Sequence, residues 1–200
     1  MCKTRNVFLA LAACVVMLFA TACGNKDAFK HGSWSGMTYT SKFLGIKIQL
    51  DSDWMVTSDE IIAKGIGVSD MSDSNIRSVF DKGRPITEMY ALRYDASSIS
   101  ITVQDNDTAG VLSEEDFFSE ENISRLKADF DETGSCSVYK DTVRFLGKDT
   151  DCIDLSYTML NISSCEIIIP VFISHYTAII TFSANDRTDL ASLIGMATAI

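Results

Sequence analysis

Residues 137–183 contain four extended runs, namely SVYKDTVRFL (137–146), TDCIDLSYTML (150–160), CEIIIPVFI (165–173) and YTAIITFS (176–183). All four are dense in β-branched and aromatic residues, which favour strands. The links between the runs are short and polar or contain glycine. A short link joins neighbouring antiparallel strands, because parallel strands need a long crossover. The sequence therefore predicts a meander of four antiparallel strands.

Other predicted elements surround the meander. We expect strands at 37–42, 45–50, 87–94 and 98–104, and helices at 58–64, 73–82, 113–130 and 186–199. The helix at 113–130 is expected to break near Ser119, because Phe117 and Phe118 fall off its apolar stripe. Asn185 is the expected N-cap of the last helix. This order predicts an α+β fold in which helices cover an antiparallel sheet.

The segment YTSKFLGIKIQLDSDW (residues 39–54) reads as a leading hairpin followed by a turn and Trp54. Together with the meander, its last strand and the final helix, this segment resembles the PsbP-like superfamily, which includes bacterial DcrB-type envelope lipoproteins. The resemblance spans nearly all of residues 37–200. It implies an α/β/α sandwich that serves for docking or scaffolding, generally without catalysis.

The first 23 residues have the features of an export signal. Lys3 and Arg5 precede an apolar run over residues 7–20, and small residues lead to Cys23. The run is shorter than the ~20 apolar residues that span a bilayer, although a retained anchor is the alternative. We expect residues 1–22 to be a lipoprotein signal peptide and Cys23 to carry the lipid. The mature protein is then attached to the extracytoplasmic face of the cell membrane.

A polar segment follows the predicted lipid site. Residues 24–36 read GNKDAFKHGSWSG, and this mixture of glycine, serine and charge predicts a flexible tether over residues 23–36. The remaining residues, 37–200, have the length of a single domain with one core.

The chain is acidic, with a formal net charge of −10 at pH 7. Such a surface repels phosphate groups, so nucleic acids and anionic lipid surfaces are poor partners. A cationic ligand, a metal ion or a basic patch on another envelope protein would be attracted. The same charge also keeps an exported domain soluble, and we expect a monomer.

Three cysteines remain beyond the predicted lipid site: Cys136, Cys152 and Cys165. Cys136 and Cys165 fall on strands that a third strand separates. Two strand spacings place them ~9.6 Å apart, too far for an undistorted disulfide. We therefore expect three mostly buried thiols without a bridge.

The stretch DNDTAGVLSEED (residues 105–116) resembles a twelve-residue EF-hand calcium loop. Asp105, Asp107 and Asp116 match positions one, three and twelve, and Gly110 matches the sharp turn at six. Calcium takes six to eight oxygen ligands, so these carboxylates are the candidate metal ligands. The alternative is an ordinary strand-to-helix loop whose acids favour the helix N-terminus.

Catalytic motifs are weak in this sequence. We expect His31 to lie in the tether and His175 to be a solvated residue at a hairpin tip. The sequence therefore predicts a non-enzymatic lipoprotein, without a cofactor, that docks an envelope protein or a small ligand. One alternative is a calcium-dependent binding or hydrolytic protein that uses residues 105–116. The other is a purely structural spacer.

Overall fold

The computed structural model describes residues 28–110, 113–131, 135–159 and 162–200. Within these residues the chain forms two antiparallel sheets and six helices. In chain order the strands are β1 Ser33–Ser35, β2 Thr38–Ser41, β3 Ile46–Gln49, β4 Trp54–Val56, β5 Ile86–Arg93, β6 Ser98–Asp105, β7 Ser135–Phe145, β8 Lys148–Met159, β9 Ile162–Ile173, β10 Tyr176–Ala184 and β11 Ala197–Ala199. The helices are α1 Asp59–Ile66, α2 Asp73–Phe80, α3 Asn106–Ala109, α4 Glu114–Phe117, α5 Glu120–Asp131 and α6 Arg187–Gly195. The fold is α+β, as the sequence predicted.

The predicted meander forms four of the seven strands of the large sheet. That sheet has the strand order β4-β5-β6-β10-β9-β8-β7, and the small sheet has the order β1-β2-β3-β11. Leu146 and Gly147 both have positive φ, at 49° and 79°, in the link between β7 and β8. Two-residue turns of this kind match the right-handed twist of the paired strands, and so they fix the register of the hairpin.

The core lies on one face of the central strands. Alternate residues of β6, including Ile99 and Ile101, are fully buried, and they pair with Phe182 and Ile180 of β10. The small sheet, α2 and α6 cover this face, whereas α4 and α5 lie over the other face. The large sheet is therefore enclosed between two layers.

Capping residues mark the ends of the helices between the strands. Ser58 caps α1 through a hydrogen bond from the amide of Ile61, and Gly67, with φ of 82°, follows the last helical residue, Ile66. Ser113 and Asp116 form a capping box at the start of α4. The predicted break near Ser119 is confirmed, because α4 ends at Phe117 and α5 begins at Glu120.

The C-terminal prediction was wrong in two respects. Helix α6 ends at Gly195 instead of continuing to Ala199, and its N-cap is Asp186, not Asn185. Asp186 accepts hydrogen bonds from two backbone amides of the first turn. The last residues form β11, which pairs with β3 and so protects a strand edge that would otherwise be exposed.

The N-terminal part of the fold begins earlier than the predicted Met37. Phe29 is 7 % exposed and contacts the rings of Phe43, Phe80 and Tyr176. We call residues 28–35 the N-terminal strap, because β1 within it pairs with β2. The expectation of a flexible tether is therefore wrong for residues 28–36, while the signal peptide, Cys23 and the rest of residues 1–27 lie outside the described residues.

Phe29→Ala tests whether the strap belongs to the folded core. Losing a buried ring from an aromatic cluster should lower the free energy of unfolding by about 3 kcal/mol in a denaturant titration. Tyr94→Ala is the matched control, because the Tyr94 side chain is 82 % exposed. The control should change stability by less than about 0.5 kcal/mol. An equally small change for Phe29→Ala would mean that the strap does not stabilise the fold.

Candidate functional site

Asp105 lies at the end of β6, where the register places it opposite Tyr176, the first residue of β10. Its side chain is fully buried and accepts a hydrogen bond from the amide of Asp107 at 3.0 Å. The guanidinium of Arg77 lies 3.2 Å from its other oxygen. Asp105 is therefore a buried carboxylate that a half-exposed cation from α2 neutralises.

His175 joins this acidic site from the hairpin between β9 and β10. Its Nε2 lies 3.9 Å from Oδ2 of Asp105, and its ring packs 4.1 Å from that of Tyr176. Its backbone carbonyl accepts a hydrogen bond from the amide of Asn106. Because its side chain is only 28 % exposed, His175 is not the fully solvated turn residue that the sequence suggested.

Asp105, Asp107 and His175 form a group whose potential ligand atoms all lie within 4.8 Å of one another. The predicted third acid, Asp116, is instead bonded to Ser113 in the capping box of α4. Residues 106–109 form helix α3 within the supposed calcium loop. The EF-hand arrangement is therefore not adopted: the fold brings two of the three predicted acids together and adds a histidine.

A second polar site surrounds Glu88 on β5. The register of β5 against β6 shifts between Thr87 and Met89, and the Glu88 side chain is fully buried. It accepts hydrogen bonds from the amide of Gly32 at 2.7 Å and from the hydroxyl of Tyr39. The bulge thus turns a charged residue inward, where the strap and β2 supply its donors.

His31 completes the Glu88 site. Its Nδ1 lies 2.6 Å from Oε2 of Glu88, and its Nε2 lies 3.4 Å from Oδ1 of Asp59 at the start of α1. The side chain is 10 % exposed, so the expectation of a histidine in a solvated tether was wrong. No periodic pattern surrounds His31 in the sequence, and only its long-range pairing with Glu88 reveals its role.

The pKa values of His31 and Tyr39 are both raised in this site. Burial alone would lower the pKa of His31, but its hydrogen bond to Glu88 and the charges of Glu88 and Asp59 outweigh burial and raise it. Burial, with the charge of Glu88 adding to it, also raises the pKa of Tyr39, so the hydroxyl stays protonated and donates.

A third buried carboxylate, Asp154 on β8, binds the first residue of α6. Arg187 donates to both of its oxygens, at 2.5 and 2.9 Å, and also contacts the hydroxyl of Tyr139 at 3.1 Å. The hydrogen bonds to Asp154 raise the pKa of Arg187. This bidentate pair fixes α6 on the sheet, which is a structural task.

The three cysteines of the described residues remain thiols, as predicted. Cys136 pairs with Tyr157, and Tyr157 pairs with Ser164, so Cys165 points to the opposite face of the sheet. Cys152 is buried, and burial raises its pKa to about 12. Cys136 and Cys165 are only half-buried, unlike the expected buried set.

Comparisons with known proteins leave the family of this chain open. No protein-family model matches it, and no curated protein sequence matches it. Among solved structures it is similar to LpqN, a Mycobacterium tuberculosis protein involved in cell envelope biogenesis. The two share 9 % sequence identity and a TM-score of 0.41 over 76 % of this chain and 82 % of that one. A likeness at this score carries no functional inference.

Within the part of the chain that the structure describes, no helix combines the length and the apolar character needed to cross a bilayer.

Proposed function

We propose that this protein is a lipid-anchored, non-enzymatic docking module on the extracytoplasmic face of a cell membrane, with a fold of the PsbP-like, DcrB-type kind. The burial of Phe29, only six residues after the predicted lipid site Cys23, supports the placement of the domain next to the membrane. Residues 24–28 reach at most ~17 Å when fully extended. A lipid on Cys23 would therefore hold the folded domain close to the membrane surface.

The use of the buried charges supports a non-catalytic role. Glu88 is bonded to Gly32, His31 and Tyr39, and Asp154 is bonded to Arg187. Each of these contacts fastens one chain segment to another. A catalytic acid or base needs access to a substrate, whereas these carboxylates face protein groups.

The acidic helices α4 and α5 are the surface on which we expect a partner to dock. The first turns of both helices are acidic, and the four glutamates concerned are exposed: Glu114, Glu115, Glu120 and Glu121. This surface complements a basic patch on another envelope protein or a cationic small ligand.

Cys23→Ala tests the anchor in intact cells. The wild-type protein should incorporate an alkyne-labelled fatty acid and sediment with membranes, whereas the variant should lose the label because no thiol is present at residue 23. Cys152→Ser is the control, since the Cys152 thiol is buried and should not be acylated. An unlabelled wild-type protein would contradict lipid anchoring.

The docking surface is tested in the same cells with a photo-crosslinking residue at Glu121. We expect one recurrent protein or ligand adduct, and we expect it to be lost when Glu114, Glu115 and Glu120 are changed to lysine. The crosslinker at Tyr94 is the control for random neighbours. The same adducts from both positions, or an adduct that survives charge reversal, would contradict docking on α4 and α5.

Cation binding is a second candidate function, and the grouping of Asp105, Asp107 and His175 favours it. Calcium prefers oxygen ligands, whereas an imidazole beside carboxylates suits zinc or another first-row transition metal. Arg77 already neutralises Asp105, so an incoming cation has to compete with it. The sequence pattern of residues 105–116 favours calcium, whereas the imidazole of His175 beside the two carboxylates favours zinc.

Melting temperatures with millimolar calcium or micromolar zinc distinguish these ions. Zinc should raise the melting temperature of the wild-type protein but not of His175→Gln, because the variant lacks the imidazole. A calcium effect should disappear in Asp107→Asn. Arg77→Gln should strengthen either effect by removing the competing cation. If neither ion raises the melting temperature of the wild type or of Arg77→Gln, the site binds no cation.

A further inference from the structure

The N-terminal strap contacts the rest of the domain at several points. Phe29 inserts into an aromatic cluster, and His31 with the amide of Gly32 reaches the buried Glu88. Beyond them, Trp34 packs 5.2 Å from the ring of Tyr39. Of these contacts, the pairing of His31 with Glu88 is the one that depends on a proton in the physiological range.

The groups facing His31 come from three elements. Glu88 lies on β5, Asp59 lies on α1, and the protonated hydroxyl of Tyr39 on β2 shares the Glu88 carboxylate. The adjacent cation on the strap, Lys30, pairs with Asp73 on α2. Both ring nitrogens of His31 therefore meet carboxylate oxygens, an arrangement that suits an imidazolium with two N–H donors.

We propose that protonated His31 locks the N-terminal strap onto the core, and that loss of this proton releases the strap and lengthens the link between membrane anchor and domain. A neutral imidazole carries one N–H and can donate to Glu88 or to Asp59, but not to both. It also leaves the buried Glu88 without a compensating charge, which is strongly unfavourable.

The sign of the pH dependence follows from the raised pKa of His31. A histidine whose folded pKa exceeds its unfolded value binds the proton more tightly in the locked state. Its stabilising contribution is complete below the unfolded pKa of about 6.5 and is lost as the pH rises through the folded pKa. The strap is therefore locked at acidic pH and released toward alkaline pH.

The length of the link between membrane and domain depends on the proposed lipid anchor, whereas the lock between His31 and Glu88 does not. With the strap docked, residues 24–28 link the lipid to the core and span at most ~17 Å. With the strap released, residues 24–36 form the link and span at most ~44 Å. The acidic docking surface could then reach partners farther from the membrane.

The test uses the full chain in detergent and NMR spectroscopy between pH 6 and pH 9. The chain contains two histidines, so the ring signals of His31 and His175 are readily assigned with His175→Gln. We expect His31 to titrate above its ordinary pKa. The amide of Gly32 should lose protection from hydrogen exchange, relative to its intrinsic rate, over the same pH range.

Two variants separate the lock from general unfolding. His31→Gln keeps a donor for Glu88 but cannot titrate, so the pH-dependent loss of Gly32 protection should disappear. Asp59→Asn removes one carboxylate from the exposed side, so the transition should move to lower pH. In the wild type and in both variants, the protection of core amides such as that of Ile101 from hydrogen exchange should stay constant over this pH range.

Failure of the His31 lock and failure of the lipid anchor give different results. Constant Gly32 protection from pH 6 to pH 9 in the wild type, or an unchanged pH dependence in His31→Gln, would overturn the lock. Absence of fatty-acid labelling at Cys23 together with a normal Gly32 transition would refute the proposed anchor and leave the lock in place.

Discussion

The burial of one carboxylate, Glu88, constrains the arrangement of the whole N-terminal region. A buried acceptor of this kind requires donors, and the core strands around it supply none from their apolar side chains. The donors come from Tyr39 on the small sheet and from His31 and Gly32 on the strap. The small sheet, the strap and the large sheet therefore meet at this one buried carboxylate.

For the proposed lipid anchor at Cys23, this constraint limits the distance between the membrane and the folded domain. A free tether over residues 23–36 would let the domain move and rotate, whereas a strap that enters the core at Phe29 shortens the link and fixes where it begins. The acidic group around Asp105 is near that point, because Tyr176 contacts Phe29 and pairs with Asp105. The strap and the group around Asp105 are thus linked through the same aromatic cluster.

Local signals made much of the fold predictable. The meander follows from dense strand formers and short turns, and the break between α4 and α5 follows from Phe117 and Phe118 leaving the apolar stripe. The strap could not be predicted, because Phe29 and His31 are isolated among polar residues and their partners lie far along the chain. Two of the three residues in the candidate metal group were predicted, because Asp105 and Asp107 are two residues apart in the sequence, whereas strand pairing brings His175 to them.

A double-mutant cycle between His31 and Glu88 measures how strongly the strap histidine and the buried carboxylate stabilise each other. It requires the free energy of unfolding of the wild type, His31→Gln, Glu88→Gln and the double variant, measured at pH 6 and at pH 9. The charged hydrogen bond predicts a favourable coupling of at least about 1 kcal/mol at pH 6 and a smaller one at pH 9. Additive effects of the two substitutions at pH 6 would contradict it.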